Sequence, residues 1–135
     1  MRPIRITAVL ALLVTLLLPA LSPPAGWTKT LEPMVVGWEQ IFKLEWQVSE
    51  RRGRPVLSGY VANHSPYQVT HIQLLVDALD ASGAIVGQEV SWAGGGGMGP
   101  FSRAYFEVPA PREAAATYRM SVFAFDRVES DSERR

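Results

Sequence analysis

The chain has 135 residues, 47% hydrophobic and 19% charged, with 13 basic side chains balanced by 13 acidic ones. That balance leaves no electrostatic footprint for nucleic acid, and the apolar content is too high for a disordered chain. The absence of Cys excludes a disulfide framework, a thiolate metal site, an iron–sulfur cluster, a cysteine nucleophile and a lipid-bearing cysteine.

Arg2 and Arg5 precede an uncharged run from Ile6 to Leu18, matching the basic and apolar regions of a secretory signal. A bilayer-spanning helix needs about 20 apolar residues, and here Pro19, Pro23 and Pro24 break the run too early. Residues 1–25 are therefore expected to be a cleaved signal peptide, with the cut between positions 22 and 26. The product is expected to be periplasmic or extracellular, without a membrane span. An uncleaved segment anchoring the domain to the inner membrane is the alternative. Loss of Arg2 and Arg5 leaves 13 − 2 = 11 basic residues against 13 acidic ones, a formal charge of −2.

Residues 26–40 form a lead-in without sustained periodicity. From there the apolar residues alternate, which is the signature of half-buried strands. In residues 41–48, Phe42, Leu44, Trp46 and Val48 share one face, and Lys43, Glu45 and Gln47 the other. A charged turn over 49–55 leads to a second strand at 56–63, and a turn at 64–67 to a long third strand at 69–80. Ile72, Leu74, Val76 and Ala78 form one face of that strand, and His71, Gln73, Leu75 and Asp77 the other. Its length predicts a bulge near Leu74 and Leu75. Asp80 to Gly83 reads as a tight turn, and residues 84–92 as the returning strand.

A glycine-rich loop over 94–100 follows. Residues 102–108 place Ala104, Phe106 and Val108 on one face. The connection over 109–116 is expected to hold one helical turn at 112–115, and residues 118–125 form the last strand. The sandwich domain is expected over 41–127, with a charged flexible tail over 128–135. Six or seven short strands with hairpin connections and no room for crossover helices predict an all-β fold, an antiparallel two-sheet immunoglobulin-like β-sandwich. A small closed barrel is the alternative.

The segment Gly59-Tyr60-Val61-Ala62-Asn63-His64-Ser65 resembles the G-x-V-x-N-x-S strand and turn of FxLYD-type domains. Residues 76–83 sit where that family's F-x-L-Y-D motif and turn fall, with Asp80 identical, and residues 104–108 and 118–122 resemble its closing strands. The water-stress class of late-embryogenesis proteins offers a rival likeness. The resemblance covers residues 57–125 and implies a sandwich serving as an accessory or adhesion-like module in the envelope. It implies no catalytic set.

Chemistry-bearing residues are few. His64 and His71, near Asp77 and Asp80, invite a metal site, yet along a strand His71 and Asp77 stand about 20 Å apart, beyond one coordination sphere. No Gly-x-Ser-x-Gly elbow exists for a serine hydrolase, and the carboxylates are scattered. The glycine run lacks the lysine and helix of a phosphate cradle. Asn63-His64-Ser65 matches the N-glycosylation acceptor pattern, relevant only in a eukaryotic secretory route and disfavoured by Pro66.

The aromatics remain. Trp46 and Phe106 have core faces, whereas Trp38 in the lead-in and Trp92 beside the glycine loop have none. Trp38, Trp92, Met98 and Phe101 form the candidate interaction surface, since large apolar groups beside a pliable loop are what protein and glycan contacts use. The expected function is a non-enzymatic, cofactor-free binding or assembly module of the bacterial envelope with a protein partner. A carbohydrate-binding domain is the alternative, and a small exported hydrolase a distant third.

Overall fold

In a computed structural model of the chain, residues 29–94 and 96–129 are described. The expected signal peptide, Trp27 and the end of the charged tail lie outside the described residues. A 3-10 turn (Trp38–Gln40) precedes six strands: β1 (Phe42–Arg51), β2 (Arg54–Asn63), β3 (Gln68–Leu79), β4 (Ile85–Trp92), β5 (Arg103–Pro109) and β6 (Thr117–Val128). They form two three-stranded antiparallel sheets, ordered β1-β2-β5 and β4-β3-β6. This is the expected all-β sandwich. The hairpins β1–β2 and β3–β4 each stay within one sheet, and the chain changes sheet after β2, β4 and β5.

The alternation explains the core. Phe42, Leu57, Val61, Leu74, Val76, Phe106, Val108, Met120 and Val122 are all buried between the sheets, each stabilising the fold by roughly 1.5–3 kcal/mol relative to an exposed position. Val48, at the far end of edge strand β1, departs from its assigned face and is exposed. The turn expected over 49–55 is narrower than its composition indicates. Strand pairing continues to Arg51↔Arg54, and Arg52 and Gly53 both take positive φ (51° and 75°), as a two-residue type I′ hairpin requires.

β3 is irregular where expected, beside Leu74, and also nearer its start. Pairing with β6 slips between Thr70 and Gln73 and again between Gln73 and Leu74, and His71 sits at φ 51°. The helical turn expected at 112–115 does not form, and the backbone there only bends. Four residues cannot recover the cost of helix nucleation, and the segment instead closes by Ala116 N–H bonding to Leu79 O at 2.8 Å.

The lead-in is docked on the sandwich. The Gln88 amide accepts from Leu31 N–H and donates to Leu31 C=O, both at 2.9 Å, and Met34 N–H donates to Phe123 O at 2.8 Å. These bonds carry residues 31–34 across the outer face of β4-β3-β6. Leu75 and Asp77, assigned to a wetted face, are therefore buried. Asp77 is satisfied there by Arg119 Nε and Nη2 at 3.0 and 2.8 Å and by Gln88 Nε2 at 2.8 Å. Among the described residues, no helix is long and apolar enough to cross a membrane.

Candidate functional site

The end of the sandwich formed by the β2–β3 turn and the β4–β5 loop is organised by one side chain. Asn63 closes β2 and is only 1% exposed. Its Nδ2 donates to Tyr67 O (2.8 Å) and Gly99 O (3.0 Å), tying the two connections together. Its Oδ1 accepts from Ser65 N–H (3.0 Å) and Ser65 Oγ (2.7 Å), an Asx-turn arrangement. Every hydrogen-bonding position of the amide is used. The Asn-x-Ser pattern is thus a structural lock, and its nitrogen is shut away from any modifying enzyme in the folded protein.

The four residues expected at an interaction surface are not brought together. Met98 does not belong to a surface. It is 5% exposed in the core, held by reciprocal backbone bonds with Val69 at 2.7 and 3.0 Å, because a bridge to β3 draws the loop inward. Trp38 packs partly buried against the core. There it walls a cleft of about 460 Å3 with Phe42, Leu44, Trp46, His64 and Met120. Trp92 and Phe101 are the two that project, at 58% and 72% exposure.

Phe101 has an unusual backbone. It lies at φ 52°, a left-handed conformation that costs a bulky L-residue roughly 1–2 kcal/mol, and its N–H is held by Ser65 O at 3.3 Å. Its ring borders a hollow of about 220 Å3 shared with Ala62, Asn63, His64, Ser102 and Arg103. From there the surface continues over the outer face of β1-β2-β5. The Arg103 guanidinium lies 4.4 Å from the centre of the Tyr60 ring, and Tyr60 meets Tyr105 edge-on at 5.6 Å. Both tyrosines are exposed. Beyond them Tyr105 Oη donates to Glu107 at 3.4 Å, and Glu107 pairs with Arg51 at 2.9 Å.

Tyr60, Tyr105 and Arg103 were absent from the sequence-based surface, although the signal was present. Ala104, Phe106 and Val108 face inward, so Tyr105 between them must face outward, and Tyr60 lies beside buried Val61 in the same way. Arg127, stacked on the exposed Tyr67 ring at 4.1 Å, adds a second cation–aromatic pair at this end.

The histidines are separated. His64 lines the hollows beside Trp38 and Phe101, whereas His71 Nδ1 lies 2.9 Å from Asp126 Oδ2 on β6. Asp80, the residue shared with the F-x-L-Y-D motif, is a turn cap. Its Oδ1 accepts from Ser82 Oγ at 2.6 Å and from the N–H groups of Ser82 and Ala84 at 2.9 Å each. The Ser82 hydroxyl, chiefly, and these amides hold its carboxyl below the usual carboxylate range. No protein-family model, curated protein or solved structure matches the chain.

Proposed function

We propose that this domain is a non-enzymatic binding or assembly module, exported to the bacterial cell envelope, that engages a protein partner through the surface running from Phe101 over Arg103 to Tyr60 and Tyr105. The observation that carries the reading is Phe101, a phenyl ring displayed to solvent on a backbone that glycine would occupy at less cost. Strain of this kind is retained where function requires the side chain. Its surroundings fit a protein contact, since Tyr, Phe and Arg are enriched at interfaces, and Tyr and Arg are among the side chains whose truncation costs most.

The likeness of residues 59–65 to FxLYD-type domains bears on the fold more than on this surface. Gly59 and Asn63, which carry it, serve strand packing and the loop lock. An exported location is in keeping with the basic and apolar leader of residues 1–18.

Phe101→Gly and Tyr105→Ala test the proposal in pull-downs from envelope extract. Phe101→Gly is expected to fold with an unchanged or higher thermal midpoint while losing the partner about thirtyfold, the equivalent of about 2 kcal/mol for a hot-spot side chain. Partner recovery unaffected by both substitutions would overturn the assignment of this face.

A further inference from the structure

Trp92 projects from a different surface. It ends β4 in register with Gln73 of β3, which pairs in turn with Ala124 of β6. These residues share the outer face of β4-β3-β6 with Leu75 and Asp77, and Ala124 directly follows Phe123, where Met34 of the lead-in meets β6. The bulge in β3 then turns His71 towards this corner. The His71 ring meets the Trp92 indole edge-on, with centroids 6.1 Å apart and planes at 70°. Asp126 Oδ2 holds His71 Nδ1 at 2.9 Å, with Thr70 Oγ1 at 3.3 Å. The imidazole, like Phe101, stands on a left-handed backbone at φ 51°, a conformation unfavourable for a non-glycine residue.

The chemistry of this corner is specific. A carboxylate only accepts hydrogen bonds, so in the neutral imidazole the Nδ1 proton faces Asp126 and the Nε2 lone pair is left as an acceptor. The second Asp126 oxygen is not the one that holds His71, and Gln73 is half-buried beside it on β3. Gln73 stands directly across from Trp92, within the reach of neighbouring side chains in paired strands. The exposed indole thus has the His71 ring at its edge and Gln73 across from it on the neighbouring strand, with Asp126 holding the imidazole.

We infer that this corner is a binding platform for a neutral pyranose within an oligosaccharide or polysaccharide, the sugar's C–H face stacking on Trp92 and its hydroxyls engaging His71 Nε2, Asp126 and Gln73. A sugar ring has the two properties that the site matches, an apolar face and a rim of groups that donate and accept. The carboxylate of Asp126 disfavours uronic acids and phosphates. Arg127, the adjacent cation on β6, is directed onto Tyr67 instead. The proposal is independent of the protein contact at Phe101, because the two surfaces belong to opposite sheets and share no residue.

The test is affinity electrophoresis of the full chain in gels containing dextran, soluble β-glucan, galactomannan or polygalacturonate, together with tryptophan fluorescence titration using the corresponding oligosaccharides. At least one neutral polymer is expected to retard the protein and quench its fluorescence. Trp92→Ala should weaken that binding at least tenfold, Asp126→Asn and His71→Ala severalfold each, and Trp92→Tyr should retain most of it. Phe101→Gly should leave it unchanged, so that failure of this reading and failure of the protein-contact reading are told apart. Circular dichroism and thermal melting confirm that each variant folds. Absence of binding to every neutral polymer, binding that Trp92→Ala leaves intact, or preference for polygalacturonate would overturn the inference. Loss of protein-partner capture in Trp92→Ala without any sugar binding would reassign the corner to the protein contact.

Discussion

Replacing Asn63 by Asp tests whether the loop end is held by the four hydrogen bonds of one amide. The substitution keeps the shape and the two bonds accepted from Ser65, but it converts Nδ2, which donates to Tyr67 O and Gly99 O, into a carboxylate oxygen facing two carbonyl oxygens. Each buried group left without its partner costs roughly 1–3 kcal/mol. The two together set an expected loss of about 4 kcal/mol at neutral pH. For a domain near 100 residues each kcal/mol moves the thermal midpoint by about 4–8 °C, so a fall of about 15–30 °C is expected. The pH dependence separates this cause from a mere packing defect. Burial against carbonyls raises the carboxyl pKa of the variant in the folded state above its unfolded value of about 3.9. The folded variant therefore binds more protons than the unfolded one between those two values. The deficit relative to wild type should fall to about half below pH 3.9, where the protonated carboxyl donates to one of the two carbonyls again, and should grow as pH rises through the folded value. Urea denaturation followed by tryptophan fluorescence at pH 3.5 and pH 7 measures it. A variant within 1 kcal/mol of wild type at pH 7, or one with equal deficits at both pH values, would refute the reasoning.

Gly59→Ala should be severely destabilising. A β-carbon there would overlap the Glu45 carbonyl and lie 2.7 Å from Trp46 Cα. Because the obstacle is the backbone of the paired strand, the loss should exceed the roughly 1–3 kcal/mol usual for overpacking; soluble yield and urea midpoint report it, and a wild-type midpoint would contradict it. Asp80→Ala should lower stability at neutral pH. The carboxyl's folded pKa lies below its unfolded one, so its contribution is fully present above the unfolded pKa and is lost as pH falls through the folded one; the gap between wild type and variant should close under strong acid in denaturation curves. Arg119→Ala leaves Asp77 with only Gln88 as a partner. A loss of about 2–3 kcal/mol is expected by chemical denaturation, below the full cost of breaking a buried pair because the guanidinium is itself half exposed. Gln88→Ala removes both bonds to Leu31 and one donated to Asp77, and should speed hydrogen exchange of the Leu31 amide more than that of the central amides of β3.

Strand existence and facing were legible because alternation is a local property. Phe42, Leu44 and Trp46 turn inward from β1, as do Ala104, Phe106 and Val108 from β5, wherever the pairing is regular. What the sequence concealed depends on groups that meet only through space. Leu75 and Asp77 appear destined for solvent in any period-two reading, and they are buried because residues 31–34, about 40 positions earlier in the chain, cross that face. Met98 reads as a loop residue, but a backbone bridge to Val69 pulls it into the core. The slip beside Leu74 is legible from the length of the strand, whereas the second one at His71 is not, because a slip in pairing is set jointly by β3 and β6. Trp92 is recognisable as a residue without a core face and Phe101 as a member of the same candidate surface; that the two stand on separate surfaces is not, since this follows from which sheet each strand joins.

Among the described residues, three other than glycine adopt positive φ: Arg52, His71 and Phe101. Arg52 is explained by its two-residue hairpin, in which the backbone demands that sign. His71 stands at the slip in the β3–β6 pairing and Phe101 in the turn before β5, where Gly or Asn would carry the same backbone with less strain. Both lie at the end of the sandwich locked by Asn63, and both place a side chain in an exposed aromatic surface, His71 against Trp92 and Phe101 at the edge of the Tyr60–Tyr105 face. The lock and the strain thus act in opposite directions on stability. A loop end selected for stability alone would keep Asn63 and discard the other two. On the proposed function, the three together fit a rigid scaffold that displays costly side chains to a partner, so the residues that weaken the fold, rather than those that hold it, are the ones to substitute when binding is tested.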